Sequence, residues 1–211
     1  MFPGRIETER LRLVPRTPEY LDYLEVYEHC SADGGIEEVT QFLPWEPHDH
    51  PMETRKFLER GARLREEGEV ADYAIRPREG EPGAGEFAGF CGLEVEWDLR
   101  RGELGIWLRQ RFWGRGYSGE RAAALLELAF DRLDLEVVRV THHPDNEKSR
   151  RAIRRYVDRF GGRKEGRLRN AIAHADGTVR DQIAYSIDRS EWREAVDGMD
   201  APPTVRYEWN R

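Results

Sequence analysis

The chain is poor in cysteine, lysine and long apolar runs. Its 211 residues hold two cysteines, Cys30 and Cys91, with no CxxC and no His/Cys cluster, which argues against a zinc site or a disulfide framework. No run approaches the ~18 consecutive apolar residues of a membrane span. The opening Met1-Phe2-Pro3-Gly4-Arg5 lacks the apolar stretch of a signal peptide, so the expectation is a soluble, cytoplasmic protein with no membrane partner. Lysine is the third scarcity. Only Lys56, Lys148 and Lys164 occur, so 31 of the 34 basic residues are arginines, set against 41 acidic residues. An acidic surface with arginine in place of lysine fits a salt-rich, halophilic cytosol, where excess carboxylates stay hydrated and guanidinium groups still pair. Codon bias in a GC-rich genome would give the same composition. The net charge of −7 speaks to solubility, not to function.

At roughly 150 residues per domain, the length implies one domain. Leu11 and Leu13 alternate as in a strand ending near Pro15. Thr17-Pro18 reads as an N-cap and first helical position, with Leu21, Leu24 and Tyr27 on one helix face. Residues 31 to 50, with Gly34-Gly35, Pro44 and Pro47, read as a connection long enough to be functional. A helix over about 51–67 follows, then a strand at 70–75. Two further strands, Phe87 to Trp97 and Glu103 to Leu108, form a hairpin. The period then changes from two to 3.6: Ala122, Leu125, Leu126, Ala129, Phe130 and Leu133 predict an amphipathic helix over about 117–133. After a strand at 136–141, Asn146 caps a helix with Ile153, Tyr156, Val157 and Phe160 on its apolar face. Strands at 166–173 and 182–187 meet at Ala175-Asp176-Gly177. The layout is α/β with one mostly antiparallel sheet.

Trp107 to Glu120 runs from a strand end through glycines into a helix, an anion site by construction. Glycine lets the backbone approach a phosphate, and unpaired N–H groups at a helix start favour a pyrophosphate. Gly114, Gly116 and Gly119 also satisfy GxGxxG. A dinucleotide fold would place an acidic residue at the end of the next strand, however, and that strand ends in His142-His143.

Arg111-Phe112-Trp113-Gly114-Arg115-Gly116 resembles the acetyl-CoA loop of the GNAT N-acetyltransferase superfamily. Its context resembles the ribosomal-protein alanine N-acetyltransferase (RimJ/RimL-like) branch. Supporting segments are Glu7 to Leu13, Phe42-Leu43-Pro44-Trp45, Glu103 to Leu108, Asn146-Glu147-Lys148-Ser149 and Asp181 to Ser186, in that order. The resemblance covers residues 5–193 as one GNAT domain, leaving 194–211 as a C-terminal extension. It implies the GNAT acyl-CoA N-acyltransferase fold, a mostly antiparallel sheet with two splayed parallel strands. Acetyl-CoA is the implied cosubstrate, with no metal, and an amine, either a protein N-terminus or a small molecule, attacks the thioester directly.

By the same resemblance, Ile106, Trp107 and Leu108 pair by backbone with the pantetheine arm. Arg111, Trp113, Gly114, Arg115, Gly116 and Tyr117 surround the pyrophosphate, and Asn146 and Ser149 complete the cofactor site. Glu103 is the implied base, directly or through a water, against its alternative as an ordinary edge carboxylate. Ser149 is the implied hydrogen-bond donor to the CoA sulfur. Many relatives place a tyrosine acid seven residues after the asparagine, where this chain has Ile153; Tyr156 lies three further on. Trp45 is a candidate border of the acceptor site or a packing anchor. His48, His50, His142 and His143 lack a third ligand for a metal.

From Glu147 to Arg169 ten basic residues face three acidic ones. That segment is a solvated, internally paired helix, a partner for the 3′-phosphate of CoA, or a surface that docks on RNA or the ribosome. A non-catalytic acyl-CoA-binding or RNA-docking module with the same fold is the rival function. Monomer and homodimer both remain open.

Overall fold

The computed structural model describes residues 1–32 and 36–209. Gly34-Gly35 lie outside the described residues. Among those described, nine strands form one sheet: β1 (Arg5–Glu7), β2 (Leu11–Pro15), β3 (Val70–Pro77), β4 (Gly89–Glu96), β5 (Arg101–Leu108), β6 (Val137–His142), β7 (Arg163–Ala173), β8 (Val179–Asp188) and β9 (Arg206–Glu208). Their spatial order is β7-β8-β6-β5-β4-β3-β2-β1-β9. Every neighbouring pair is antiparallel except β5 and β6.

Helices α1 (Tyr23–Cys30) and α3 (Pro51–Glu66) cover one face, separated by the short α2 (Glu37–Thr40). Leu21, Val26, Cys30 and Leu58 pack there on Val14, Ala74, Phe90 and Trp107. Helices α4 (Tyr117–Glu127), α5 (Glu147–Arg159) and α6 (Arg189–Asp197) lie on the other face. Ala122, Leu125, Ile153, Tyr156 and Trp192 there meet Leu13, Tyr73, Cys91, Leu104 and Val140. The alternation along β5 divides its side chains between the two layers, Leu104 to one and Trp107 to the other. Fully burying each such large side chain contributes roughly 1.5–3 kcal/mol.

Several sequence expectations shift. The first helix begins at Tyr23 and not at Thr17, because the Thr17 hydroxyl is buried without a partner and so caps nothing. Asp22 caps instead, its carboxylate accepting from the Leu24 N–H at 2.9 Å. The connection over 31–50 contains the four-residue α2. The helix expected over 117–133 is α-helical to Glu127 and widens into a π turn over Leu128–Arg132. The last hairpin is longer than expected and carries irregularities in its register. The segment after Gly198 returns to the sheet: β9 pairs with β1, and the Tyr207 hydroxyl donates to the Ala124 carbonyl at 2.8 Å.

Candidate active site

The site forms where the one parallel pairing fails. The β5–β6 register ends at Leu104↔Val140, although β5 continues to Leu108 and β6 to His142. Strand β4 holds β5 along its whole length, while β6 follows β8. Beyond Leu104 the edge of β5 that faces β6 therefore has no strand partner. A cavity of about 480 Å3 passes through this gap. Phe57, Arg60, Leu64, Asp72, Glu94 and Glu103 line it on the α1/α3 side, and Ser118, Arg121, Ser149, Ala152 and Ile153 on the α4/α5 side.

At the end of β5 the chain turns through the glycine loop into α4. Gly114 and Gly116 have φ of 77° and 80°, a left-handed backbone that a side chain would strain. Gly116 is the N-cap of α4 and offers no side-chain cap. The N–H groups of Tyr117 and Ser118 consequently make no backbone hydrogen bond, and the positive end of an 11-residue helix points out of the loop. The loop is held from behind. Arg10 donates to the Arg115 carbonyl at 2.9 Å and pairs with Glu120 at 2.6 Å, and the Tyr117 hydroxyl donates to Glu81 at 2.7 Å. Arg111 pairs with Glu86 at 2.6 Å, so its guanidinium is already engaged. The Trp113 indole donates to the Leu108 carbonyl at 2.7 Å, and Lys148 sits 4.0 Å above the Trp113 ring, docking the start of α5 on the loop.

On the opposite face, Glu94 and Glu103 are direct partners across the β4–β5 pair. Glu103 is held by Arg139 through Nε at 3.0 Å and Nη2 at 2.7 Å, and the Thr141 hydroxyl donates to it at 3.2 Å. Glu94 has no such donor, and burial, followed by the negative charge of Glu103, pushes its carboxyl above the usual range. Deeper in that wall, Arg16 pairs with Asp72 at 2.5 Å.

Asn146 caps α5 by accepting from the Ser149 N–H at 3.0 Å, leaving the Ser149 hydroxyl facing the cavity without an intramolecular partner. Ile153 lines the same wall. Tyr156 does not. Its hydroxyl is buried without a hydrogen-bond partner and burial pushes it up to about 12, so it has neither the access nor the acidity to serve as proton donor. Phe42, Leu43 and Pro44 border the cavity, whereas Trp45 stands against Trp107 at a ring separation of 5.6 Å. His142 and His143 line the cavity as well, with His143 stacked on Phe42 at 5.0 Å. Among the described residues, no group of three His, Cys, Asp or Glu is placed to hold a metal ion, and no helix is long and apolar enough to cross a membrane.

Comparison with known proteins agrees with this geometry. Residues 10–156 match the family described as the Acetyltransferase (GNAT) domain. The chain belongs to the GNAT family. It is 26% identical over 186 residues, 88% of this chain and 96% of the relative, to the uncharacterized N-acetyltransferase p20 of Bacillus licheniformis. Two solved structures share the fold. The ribosomal-protein-S5-alanine acetyltransferase from Vibrio fischeri has a TM-score of 0.66 at 16% identity, covering 89% of this chain and 98% of that one. The microcin C7 self-immunity acetyltransferase MccE, solved in complex with acetyl-CoA and AMP, has a TM-score of 0.71 at 18% identity, covering 85% and 93%.

The protein is an acetyl-CoA-dependent N-acetyltransferase of the GNAT fold. Its residues suit that cosubstrate: a glycine loop at a helix N-terminus for a pyrophosphate, and an unpaired strand edge for an amide-bearing arm. Two features of this GNAT site escaped the sequence. Glu94 is one more acidic residue until the register sets it opposite Glu103, and Arg121 is one more arginine until the fold buries it. The glutamate had no local signal. The arginine did, since it falls three residues after Ser118 and four before Leu125, on the buried face.

Proposed function

We propose that the enzyme acetylates a primary amine entering from the α1/α3 face, with a protein N-terminus as the acceptor class. Bound acetyl-CoA supplies an activated thioester carbonyl. The N–H groups at the start of α4 hold its pyrophosphate, and Ser149 donates a hydrogen bond to its sulfur. Glu94 takes the proton from the incoming ammonium, directly or through a water, and Glu103, fixed by Arg139, holds the positive charge before transfer. The observation that carries this reading is the continuous cavity with two facing carboxylates on one side of the splay and Ser149 on the other.

The N-terminal acceptor is supported by the ribosomal-protein acetyltransferase among its structural neighbours. Exposed Arg154 and Arg155 on α5 have no ion pair and form the surface we assign to contact with RNA near such a substrate. A panel of peptides starting in Ala or Ser, run beside amino acids, polyamines and aminoglycosides with acetyl-CoA, tests this by release of free thiol. Turnover of the peptides above all small amines is the expected result. Turnover of a small amine alone refutes the acceptor assignment.

A further inference from the structure

Arg121 is the anomaly of this molecule. It is fully buried, at 0% exposure, on the face of α4 that packs on the sheet. None of its three guanidinium nitrogens has a hydrogen-bond partner, and no carboxylate pairs with it. The nearest aromatic partner is Tyr156, whose ring centroid lies 5.9 Å from Cζ and whose hydroxyl is itself unsatisfied and neutral. A guanidinium stays charged at any ordinary pH, and an unpaired buried charge is among the costliest features a core can hold. A ligand that brings a negative charge would balance it.

The place says which part of a ligand that is. Arg121 lines the cavity on the α4/α5 side, among Leu104, Ile106, Val140 and Ile153 at the splay. These neighbours are apolar, and Arg121 is the charged group among them. The carboxylates that would meet an amine, Glu94 and Glu103, stand on the opposite face of the sheet. The pyrophosphate site lies at the exposed start of α4, a turn before Arg121. The pantetheine arm along β5 carries no charge, so the part of the ligand left to bring a negative charge to this apolar wall is the acyl chain.

We propose that the enzyme also takes a CoA thioester whose short acyl chain ends in a carboxylate, of the succinyl class, and that Arg121 is the ion-pair partner of that carboxylate. This rests on the acyl-CoA site described above. The transfer balances as for acetyl. The amine nitrogen forms the bond to the thioester carbon, the carbon–sulfur bond breaks, and the sulfur leaves as a thiolate that takes up the proton lost by the nitrogen. The distal carboxylate passes unchanged into the amide product.

The test is calorimetric binding of acetyl-, butyryl-, malonyl-, succinyl- and glutaryl-CoA to the wild-type chain, Arg121→Met and Arg121→Lys, which needs no acceptor. In the wild type, one of the dicarboxylic thioesters binds about 10-fold or more tightly than butyryl-CoA, the scale of one desolvated charged hydrogen bond. That ratio falls to about one in Arg121→Met and keeps part of its value in Arg121→Lys. A wild-type ratio of one overturns the proposal without need of any variant. So does a ratio that survives in Arg121→Met, including the case where every thioester weakens equally, which would give the guanidinium to the sulfur or the pyrophosphate. If no CoA thioester binds at all, the acyltransferase site itself fails, a result distinct from the loss of acyl selectivity.

Discussion

Replacing Arg121 by methionine should make the ligand-free protein more stable, against the usual direction of core substitutions. The wild-type core leaves Nε, Nη1 and Nη2 of Arg121 without partners. Each unsatisfied group costs about 1–3 kcal/mol, and charged groups lie at the upper end. Methionine keeps the straight aliphatic stem and leaves a void of roughly 20–40 Å3, which costs about 0.5–1 kcal/mol. Loss of the contact with Tyr156 at 5.9 Å removes about another 1 kcal/mol. Three such groups cost at least about 3 kcal/mol, so against these losses the balance is a gain of about 1 kcal/mol or more, roughly 2–4 °C or more in melting temperature for a chain of this size. Urea unfolding followed by far-UV circular dichroism reads it as a higher midpoint at an unchanged slope. A lower midpoint with the same slope would refute the reasoning, because it would mean that the guanidinium is satisfied in the ligand-free core. A dicarboxylic acyl-CoA should raise the wild-type melting temperature more than butyryl-CoA does, and this excess should vanish in the methionine variant.

Gly116→Val places a β-branched side chain at φ 80° and should abolish acetyl-CoA binding in a chain that still folds; unchanged affinity by calorimetry would remove the pyrophosphate assignment. Glu103→Gln should lower kcat about 10²-fold with acetyl-CoA affinity nearly intact, since its partner Arg139 contacts no other carboxylate; an unchanged rate would return Glu103 to an ordinary strand position. Because the fold raises the Glu94 carboxyl, it favours the protonated form, a contribution present at low pH and lost as pH rises through the folded-state value. The stability advantage of Glu94→Gln over wild type should therefore be larger at neutral pH than near pH 4, and the acidic limb of the pH–rate profile should move in that variant; a constant difference across pH would contradict the assignment. Lys148 and Arg150 are engaged with Glu38 and Glu147, so of these three Arg151 is the one without an ion pair and the one to test against the 3′-phosphate of CoA. Dephospho-CoA should bind about 3- to 5-fold more weakly than CoA, a gap that Arg151→Ala closes and added salt narrows; equal binding to the wild type would end that assignment.

Where a functional element is local, the chain announces it. Gly114 and Gly116 need their left-handed backbone whatever surrounds them, and Asn146 caps Ser149 across three residues, so both were legible in order along the sequence. The apolar periods of α4 and α5 and the alternation of β4 and β5 are local in the same sense and were enough for an α/β layout, while the GNAT fold was implied by the resemblance of the ordered motifs. Local reading failed where two competing signals lay close together: Thr17-Pro18 has the composition of a helix start, yet Asp22 takes the cap because Thr17 is drawn into the core. What joins residues far apart in sequence was decided by packing alone. Register brings Glu94 to Glu103 and Arg139 to the same carboxylate, and sheet order carries the tail back to β1. Burial of Arg121 without a counter-charge depends on α4, α5 and β5 closing around it together, and no pattern of neighbouring residues encodes a charge that lacks a partner in three dimensions.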